Sequence, residues 1–574
     1  MRKVRIILLA VTAFILASVT EAQQIYPQGY FRSPIDFRIL ISGSFAEVRP
    51  NHFHSGIDIR TGGVTGKPVY AVADGYVSRI FISATGFGRA LYITHPNGYV
   101  TVYGHLQGFN NAIGSWIRAQ QYHQESFEMD ITVPAGLLKV KKGEVVAYSG
   151  NAGISAGPHL HFEIRDAVSQ ETINPILFGI PIQDNIPPEI NAVKIYPFDD
   201  YGMVNFAGKA ASFPVVHSGA GYSLKMKDTI LVSGKIYFGI EAIDHTNDDA
   251  ETTGINSVDL YVDTTHYYHH AVDRFPFSET KYVNALLDYP AAMVQKQRFQ
   301  RSYIAQNNKM GIYTNVLNRG IVSFTDNRIH KITYIVKDPS GNTSQLVFWV
   351  KSHYVPPMRE KPVKPSGTLF SCLDKNYYKG DGFNLDVPKD ALYEDFYFHC
   401  SEKPRVPGTY AHVYKLQDNF TPLQKSCTLS IHPDYLPKKL CSKAVIVRVS
   451  ESGHFASCGG SYKDGMVTAQ IREFGDYSVA VDTIPPKIAP VNFGKGKHPQ
   501  NLHSITLRIS DNLSGIRSFR GTMNGKWILM EFDAKSSLLT YTYDDRMHTG
   551  KNDFFLTVKD ACGNESVYKT TLFR

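Results

Sequence analysis

Three histidine-bearing segments carry the chemistry that can be read most directly from this chain. They are His54-Ser55-Gly56-Ile57-Asp58, Tyr103-Gly104-His105-Leu106 and Gly157-Pro158-His159-Leu160-His161-Phe162-Glu163. A catalytic zinc site draws three protein ligands from His, Asp, Glu or Cys and keeps a fourth position for water. These segments supply such a set with histidines to spare. Other histidines lack a second ligand type at metal-site spacing or fall off the pattern: His52, His95 beside Pro96-Asn97-Gly98, His123, and His432 next to Pro433 read as structural or surface residues.

The elements that must position these residues are short β-strands. Val69–Ala73, Gly75–Ile80, Ala90–His95, Tyr99–Tyr103 and Glu144–Tyr148 are β-branched or aromatic and are separated by Asp-Gly, Gly-Phe-Gly, Pro-Asn-Gly and Lys-Gly turn signals. This punctuation predicts a compact, strongly bent antiparallel sheet. His159 and His161 are two apart, so on a strand both side chains face the same way. Gly56 and the alternation Ile57-Asp58-Ile59 predict a loop entering a strand, so that His54 and Asp58 converge from loop and strand. Gly150, Gly153 and Gly157 give the backbone room at the floor of a groove. Between Leu106 and Val140 an inserted stretch, Asn110 to Glu125, predicts a short amphipathic helix with Ile113, Trp116, Ile117 and Gln120 on one face.

In their order, His54-x-x-x-Asp58, Tyr103-Gly104-His105-Leu106 and His159-Leu160-His161-Phe162-Glu163 resemble the signatures of the M23 (lysostaphin or LytM-type) peptidoglycan endopeptidases. Val72-Ala73-Asp74-Gly75, His95-Pro96-Asn97-Gly98 and Lys142-Gly143-Glu144-Val145-Val146 leading to Ser149-Gly150-Asn151-Ala152-Gly153 match as well, so the likeness runs from about residue 36 to 166. The resemblance implies one Zn²⁺ per chain held by His54, Asp58 and His161, with His105 and His159 as catalytic histidines beside it. It also implies peptidoglycan peptide as substrate. Two neutral imidazoles and one carboxylate leave such a site net positive, which acidifies bound water and polarises a carbonyl. The alternative is a non-catalytic envelope scaffold or hydrolase activator that uses an M23-like groove to bind wall peptide or a partner.

The rest of the chain sets the context. Arg2, Lys3 and Arg5 precede an apolar run from Ile6 to Val19, and Thr20-Glu21-Ala22 offers small residues for cleavage, so residues 1–22 read as a signal peptide. Export to the periplasm, the cell envelope or the exterior follows, with no membrane anchor after cleavage. Lys and Arg number 60 against 52 Asp and Glu, spread without a basic block, which argues against nucleic-acid binding. Abundant Tyr and Phe in short alternating runs predict a mainly β protein. Of the six cysteines, five lie between Cys372 and Cys458, and none has Cys-x-x-Cys spacing. Structural bridges or buried free thiols are expected, since an exported chain meets oxidising conditions.

Two segments repeat. Asp184-Asn185-Ile186-Pro187-Pro188 recurs as Asp482-Thr483-Ile484-Pro485-Pro486, and Val336-Lys337-Asp338-Pro339-Ser340-Gly341-Asn342 as Val558-Lys559-Asp560-Ala561-Cys562-Gly563-Asn564. Between them, Asp244 and Gly254-Ile255-Asn256-Ser257 echo Asp511 and Gly515-Ile516-Arg517-Ser518. Matching entrance, middle and exit motifs indicate one β-domain used twice, similar to bacterial immunoglobulin-like (Ig-like) sandwiches. The exits read as turns closed by Asx hydrogen bonds in preference to calcium ligands. Asn384-Leu385-Asp386-Val387-Pro388 and Ala391-Leu392 resemble ZU5-like β-domains. The expected organisation is a signal peptide at 1–22, an M23-type domain at 23–180, an Ig-like sandwich with insertions at 186–353, a cysteine-containing β-domain at 366–481 and a C-terminal Ig-like sandwich at 484–574. The β-domains are candidate surfaces for an envelope protein partner.

Overall fold

The structure is a computed structural model that describes residues 26–219, 221–226, 228–247, 251–354, 366–494 and 503–574. The segment read as a signal peptide lies outside the described residues. No helix among the described residues is long and apolar enough to cross a membrane. The protein is mainly β, as its composition predicts.

The site-bearing sheet is built from β1 (Ile41–Gly43), β2 (Ile57–Arg60), β3 (Gly75–Ile82), β4 (Arg89–Thr94), β5 (Tyr99–Gly104), β6 (Met129–Thr132) and β7 (His159–Asp166). Their spatial order is β1-β2-β7-β5-β4-β3-β6, every neighbour antiparallel. β4, β5 and β7 bury side chains on both faces, which is why they read as nearly continuous apolar runs. Ile57, Ile59, Leu91, Ile93, Tyr103, Leu160, Phe162 and Ile164 share one core. Full burial of such a side chain stabilises by about 1.5–3 kcal/mol, so the register of β2, β5 and β7 is firmly set. A small sheet of Pro68–Tyr70, Val145–Tyr148 and Gly108–Phe109 lies beside the main one.

The inserted stretch is helix α1 (Asn111–Gln124). Asn110 caps it by accepting the Ile113 amide at 2.9 Å, and Glu125 ends it in the left-handed conformation. Its buried residues are Ile113, Ile117 and Gln121. Gln121, and not Gln120, is the polar residue drawn in, because its side-chain amide donates to the Phe127 carbonyl at 2.7 Å.

Beyond β7 the chain continues through β8 (Glu189–Pro197), the 16-residue β9 (Ile230–His245), β10 (Ile329–Lys337) and β11 (Thr343–Ser352), which belong to one large mixed sheet. Thr172–Ile173 pairs with Arg274–Phe275, and Phe275, Tyr282, Val283 and Leu286 join the core beneath β7. Part of the extra length between residues 265 and 328 is therefore a brace for the first unit. Residues 368–481 form two five-stranded sheets and a small two-stranded one around a separate core containing Leu385, Leu429, Ile446 and Tyr477. The last unit pairs two four-stranded sheets, with β12 (Ser504–Ser510) in one and β13 (Lys551–Asp560) and β14 (Glu565–Phe573) in the other. All six cysteines are free thiols, and Cys372 and Cys427 are buried, which pushes both up to about 12.

Candidate metal centre

Register places the donors. His161 on β7 stands opposite Asp58 on β2 and opposite Gly104 on β5, so His161 and Asp58 project to the same face as a cross-strand pair. Gly104 keeps this approach uncrowded, because a Cβ at that position would lie 3.2 Å from the His161 Cβ. His54 arrives from the loop before β2, and its Nε2 is 3.0 Å from Asp58 Oδ1 and 3.0 Å from His161 Nδ1. His161 Nδ1 is 2.9 Å from the same Asp58 oxygen. All three side chains are buried.

The hydrogen bonds on the far side of each ring decide its tautomer. A carbonyl only accepts, so His54 donates from Nδ1 to Ser44 O at 2.8 Å and turns a bare Nε2 inward. His161 donates from Nε2 to Glu163 Oε1 at 2.9 Å and turns Nδ1 inward. Two lone pairs and a carboxylate oxygen thus meet at about 3 Å separations, an arrangement that repels itself unless a proton or a cation sits among them. Asp58 is held well below the usual carboxylate range: burial opposes ionisation, but His54, His159 and His161 outweigh it. His161 is pushed up to about 9, since bonds to Asp58 and Glu163 overcome burial. His54 is lowered to about 4, mainly by burial. His54, Asp58 and His161 together, one carboxylate and two imidazoles, are a donor set that could hold a metal ion.

His105 and His159 flank this centre. His105 follows β5 with φ +56, a left-handed conformation that side chains seldom adopt. It donates from Nδ1 to Ala152 O at 2.8 Å, leaving Nε2 open. Burial, then the charges of His161 and His159, lower it to about 3, so it is neutral. His159 is fixed at Nδ1 by Gly157 O at 2.9 Å. Its Nε2 is buried without a hydrogen-bond partner, 3.3 Å from Asp58 Oδ1. That orphaned nitrogen is a second mark of a site shaped for a cation and its ligands. Phe87 stacks on the His161 ring with centroids 5.0 Å apart. A groove of about 540 Å³ opens over the centre, bordered by Arg49, Arg60, His105, His159 and the stretch Ile154–Pro158.

Several residues of the site were not singled out by sequence. Glu163 orients His161 and is itself bound by Ser55 Oγ at 2.5 Å and Arg165 Nε at 2.6 Å. Burial favours its neutral form, yet Arg165 and His161 lower it to about 2. Its spacing of two from His161 was the available signal, because both then share a strand face. Arg49 grips the other Asp58 oxygen at 2.7 Å, a contact between separate strands that spacing does not announce. Of the remaining histidines, His95 is buried between Asp74 O and Thr101 Oγ1, while His52, His123 and His432 are exposed.

Residues 52–122 match the model of Peptidase family M23, and residues 367–482 match that of the Zu5-like domain. This part of the chain thus resembles the M23 peptidases, as its histidine segments predict. More particularly, it is 32% identical over 163 residues to an uncharacterized metalloprotease of Haemophilus influenzae, covering 27% of this chain and 28% of that protein. It is 33% identical over 128 residues to the DD-carboxypeptidase/endopeptidase Mpg of Neisseria meningitidis, covering 22% and 23%. A solved zinc-containing peptidase from Vibrio cholerae is similar at 28% identity over 24% of this chain and 38% of that one, with a TM-score of 0.19. The matches span about a quarter of the length of the two curated relatives.

Proposed function

We propose that this protein is an exported, zinc-dependent endopeptidase that hydrolyses peptide bonds in peptidoglycan cross-links or stem peptides. In this reading residues 23–180 are the catalytic domain, His54, Asp58 and His161 hold the metal, and His105 and His159 act on substrate. The supporting observation is the inward convergence of three ligand atoms whose outer partners are already satisfied. Relatives bearing the name of peptidoglycan DD-endopeptidases support the substrate class. The segments 186–353, 366–481 and 484–574 are read as positioning domains of Ig-like, ZU5-like and Ig-like type, able to engage an envelope partner.

Zinc bound at this centre would supply an acidified water and an electrophile for the scissile carbonyl. The chain's own residues do the rest. Ser44 and Glu163 fix the tautomers of His54 and His161, and Arg49 holds Asp58 by its outer oxygen. Ala152 and Gly157 fix His105 and His159 so that each presents Nε2, where it takes up or gives back a proton. The groove orients an extended peptide across these nitrogens.

The test compares purified mature wild type with His161→Ala and His159→Ala for zinc content and for release of new amino groups from peptidoglycan. His161→Ala should lose zinc and activity together. His159→Ala should keep zinc while turnover falls by about 10²–10⁴-fold, the usual share of a positioned acid–base group. A wild type that binds zinc but cuts no wall preparation would overturn the enzymatic reading in favour of a binding scaffold.

A further inference from the structure

The two repeated segments bring three aspartates together at equivalent places. Asp184, Asp244 and Asp338 offer carboxylate oxygens that all lie within 4.8 Å of one another, and so do Asp482, Asp511 and Asp560. Each triad takes one residue from the stretch before the Pro-Pro entrance, one from the end of a strand or just past it (β9 or β12), and one from the turn between the last two strands. The turns are indeed closed by Asx bonds: Asn342 donates from its amide and side chain to Asp338 at 2.9 and 2.7 Å, and Asn564 does so to Asp560 at 2.8 and 2.6 Å. Those bonds leave lone pairs free, since each carboxylate oxygen has two.

A second observation points to a ligand. Asp244 is 1% exposed, its Oδ2 accepts from Thr253 Oγ1 at 3.0 Å, and its Oδ1 is buried with no hydrogen-bond partner. The equivalent atom of the other copy, Asp511 Oδ1, is orphaned in the same way, while Asp511 Oδ2 accepts the Leu513 and Gly515 amides at 3.0 and 2.8 Å. A buried, unpaired carboxylate oxygen is costly, and its recurrence at the same position in two divergent copies argues for a common occupant. The strongest charges acting on Asp244 are Asp184 and Asp338, both of its own sign; with burial they push it up to about 8.

We propose that the two aspartate triads are Ca²⁺ sites, one at the entrance of each repeated β-unit. Oxygen-only donors select a hard cation, and a loose set of three carboxylates completed by carbonyls or water suits the flexible six- to eight-fold shell of Ca²⁺ better than the tight octahedron of Mg²⁺. Each ion would tie the incoming linker to the strand end and to the exit turn, fixing the angle at which a unit leaves its predecessor. This proposal is independent of the reading of the histidine centre.

The test is ⁴⁵Ca²⁺ equilibrium dialysis of the metal-stripped full chain in the presence of Mg²⁺. Two Ca²⁺ per chain are expected, with affinities of about 10⁻³ M or tighter, the span of extracellular modules and sensors. Asp244→Asn and Asp511→Asn should each remove one ion and the double variant both; Asn keeps the shape and relieves the repulsion, so folding without cation is retained. Fewer than two ions in the wild type, a stoichiometry untouched by these substitutions, or Mg²⁺ bound as tightly as Ca²⁺ would overturn the assignment. Wild-type stoichiometry decides the matter even if a variant fails to fold.

Discussion

At the scale of single residues, what distinguishes the histidines is which nitrogen each has spent. His54 and His161 use opposite nitrogens to reach Ser44 and Glu163, and so present opposite nitrogens to one point beside Asp58. Strand periodicity placed His159 and His161 on one face, and the M23 resemblance implied which histidines would turn toward a metal. Their tautomers were not, since Ser44, Ala152 and Gly157 contribute backbone carbonyls that any residue type would offer. Asp244 allows a prediction about pH. Its folded-state value, raised to about 8 by burial and by Asp184 and Asp338, exceeds that of an unfolded aspartate, near 3.9. The folded state therefore binds a proton more tightly, and the stability this contributes is complete below pH 4 and lost as pH rises through 8. Asp184 and Asp338, both also raised mainly by burial, titrate beside it. In chelator, thermal melting should show a falling contribution between pH 4 and 8 that Asp244→Asn abolishes; an identical pH profile in the variant would refute it.

At the scale of elements, the loop after Gly150 sets His105. Ala152 accepts from His105 Nδ1, and Gly153, at φ +69, packs backbone to backbone on Gly86 and Gly88. A Cβ on Gly153 would lie 2.3 Å from Gly86 O and from Gly88 N, neither of which can yield as a flexible side chain would. Gly153→Ala should displace Ala152 and with it His105, lowering kcat by about 10²-fold, the cost of a misplacement near 1 Å, while zinc content is unchanged. Turnover and metal analysis on the same preparation would check this. The glycines were legible as backbone room near the groove. Their interlock was not, because Gly88 and Gly153 are far apart in sequence and meet only through the fold. Helix α1 was legible in length and, Gln120 apart, in its inner face, while the surface its outer side covers was hidden.

At the scale of the whole molecule, that outer side meets the last unit. Tyr122 packs edge-on against Trp527 with centroids 5.1 Å apart and hydrogen-bonds to Asp544, Arg118 reaches Asp544 at 3.1 Å, and Glu125 pairs with Arg520 at 2.6 Å. Glu531 meets Arg89 at 2.8 Å, and Lys535 reaches Asn151 Oδ1 at 3.1 Å and Ser155 O at 3.2 Å on the groove wall. The repeats that define this unit stood out in the sequence, but its return to the first unit did not, since nothing local encodes a pairing of residues about 400 apart. Removing residues 484–574 should leave zinc content intact and open the stretch 110–127 to limited proteolysis; a truncated chain as resistant there as the full one would show that the contact is dispensable.

The same contact has a consequence in time. Helix α1 and its Tyr122 emerge early in synthesis, and their cover, Trp527 and Leu529, emerges roughly 400 residues later. At about 5–20 residues per second, the rate at which chains are made, the helix waits roughly 20–80 seconds for its partner. During that interval the first unit presents an aromatic face with nothing on it, so a nascent or partly exported chain is most exposed to mispairing and to proteases at the insert beside its own groove.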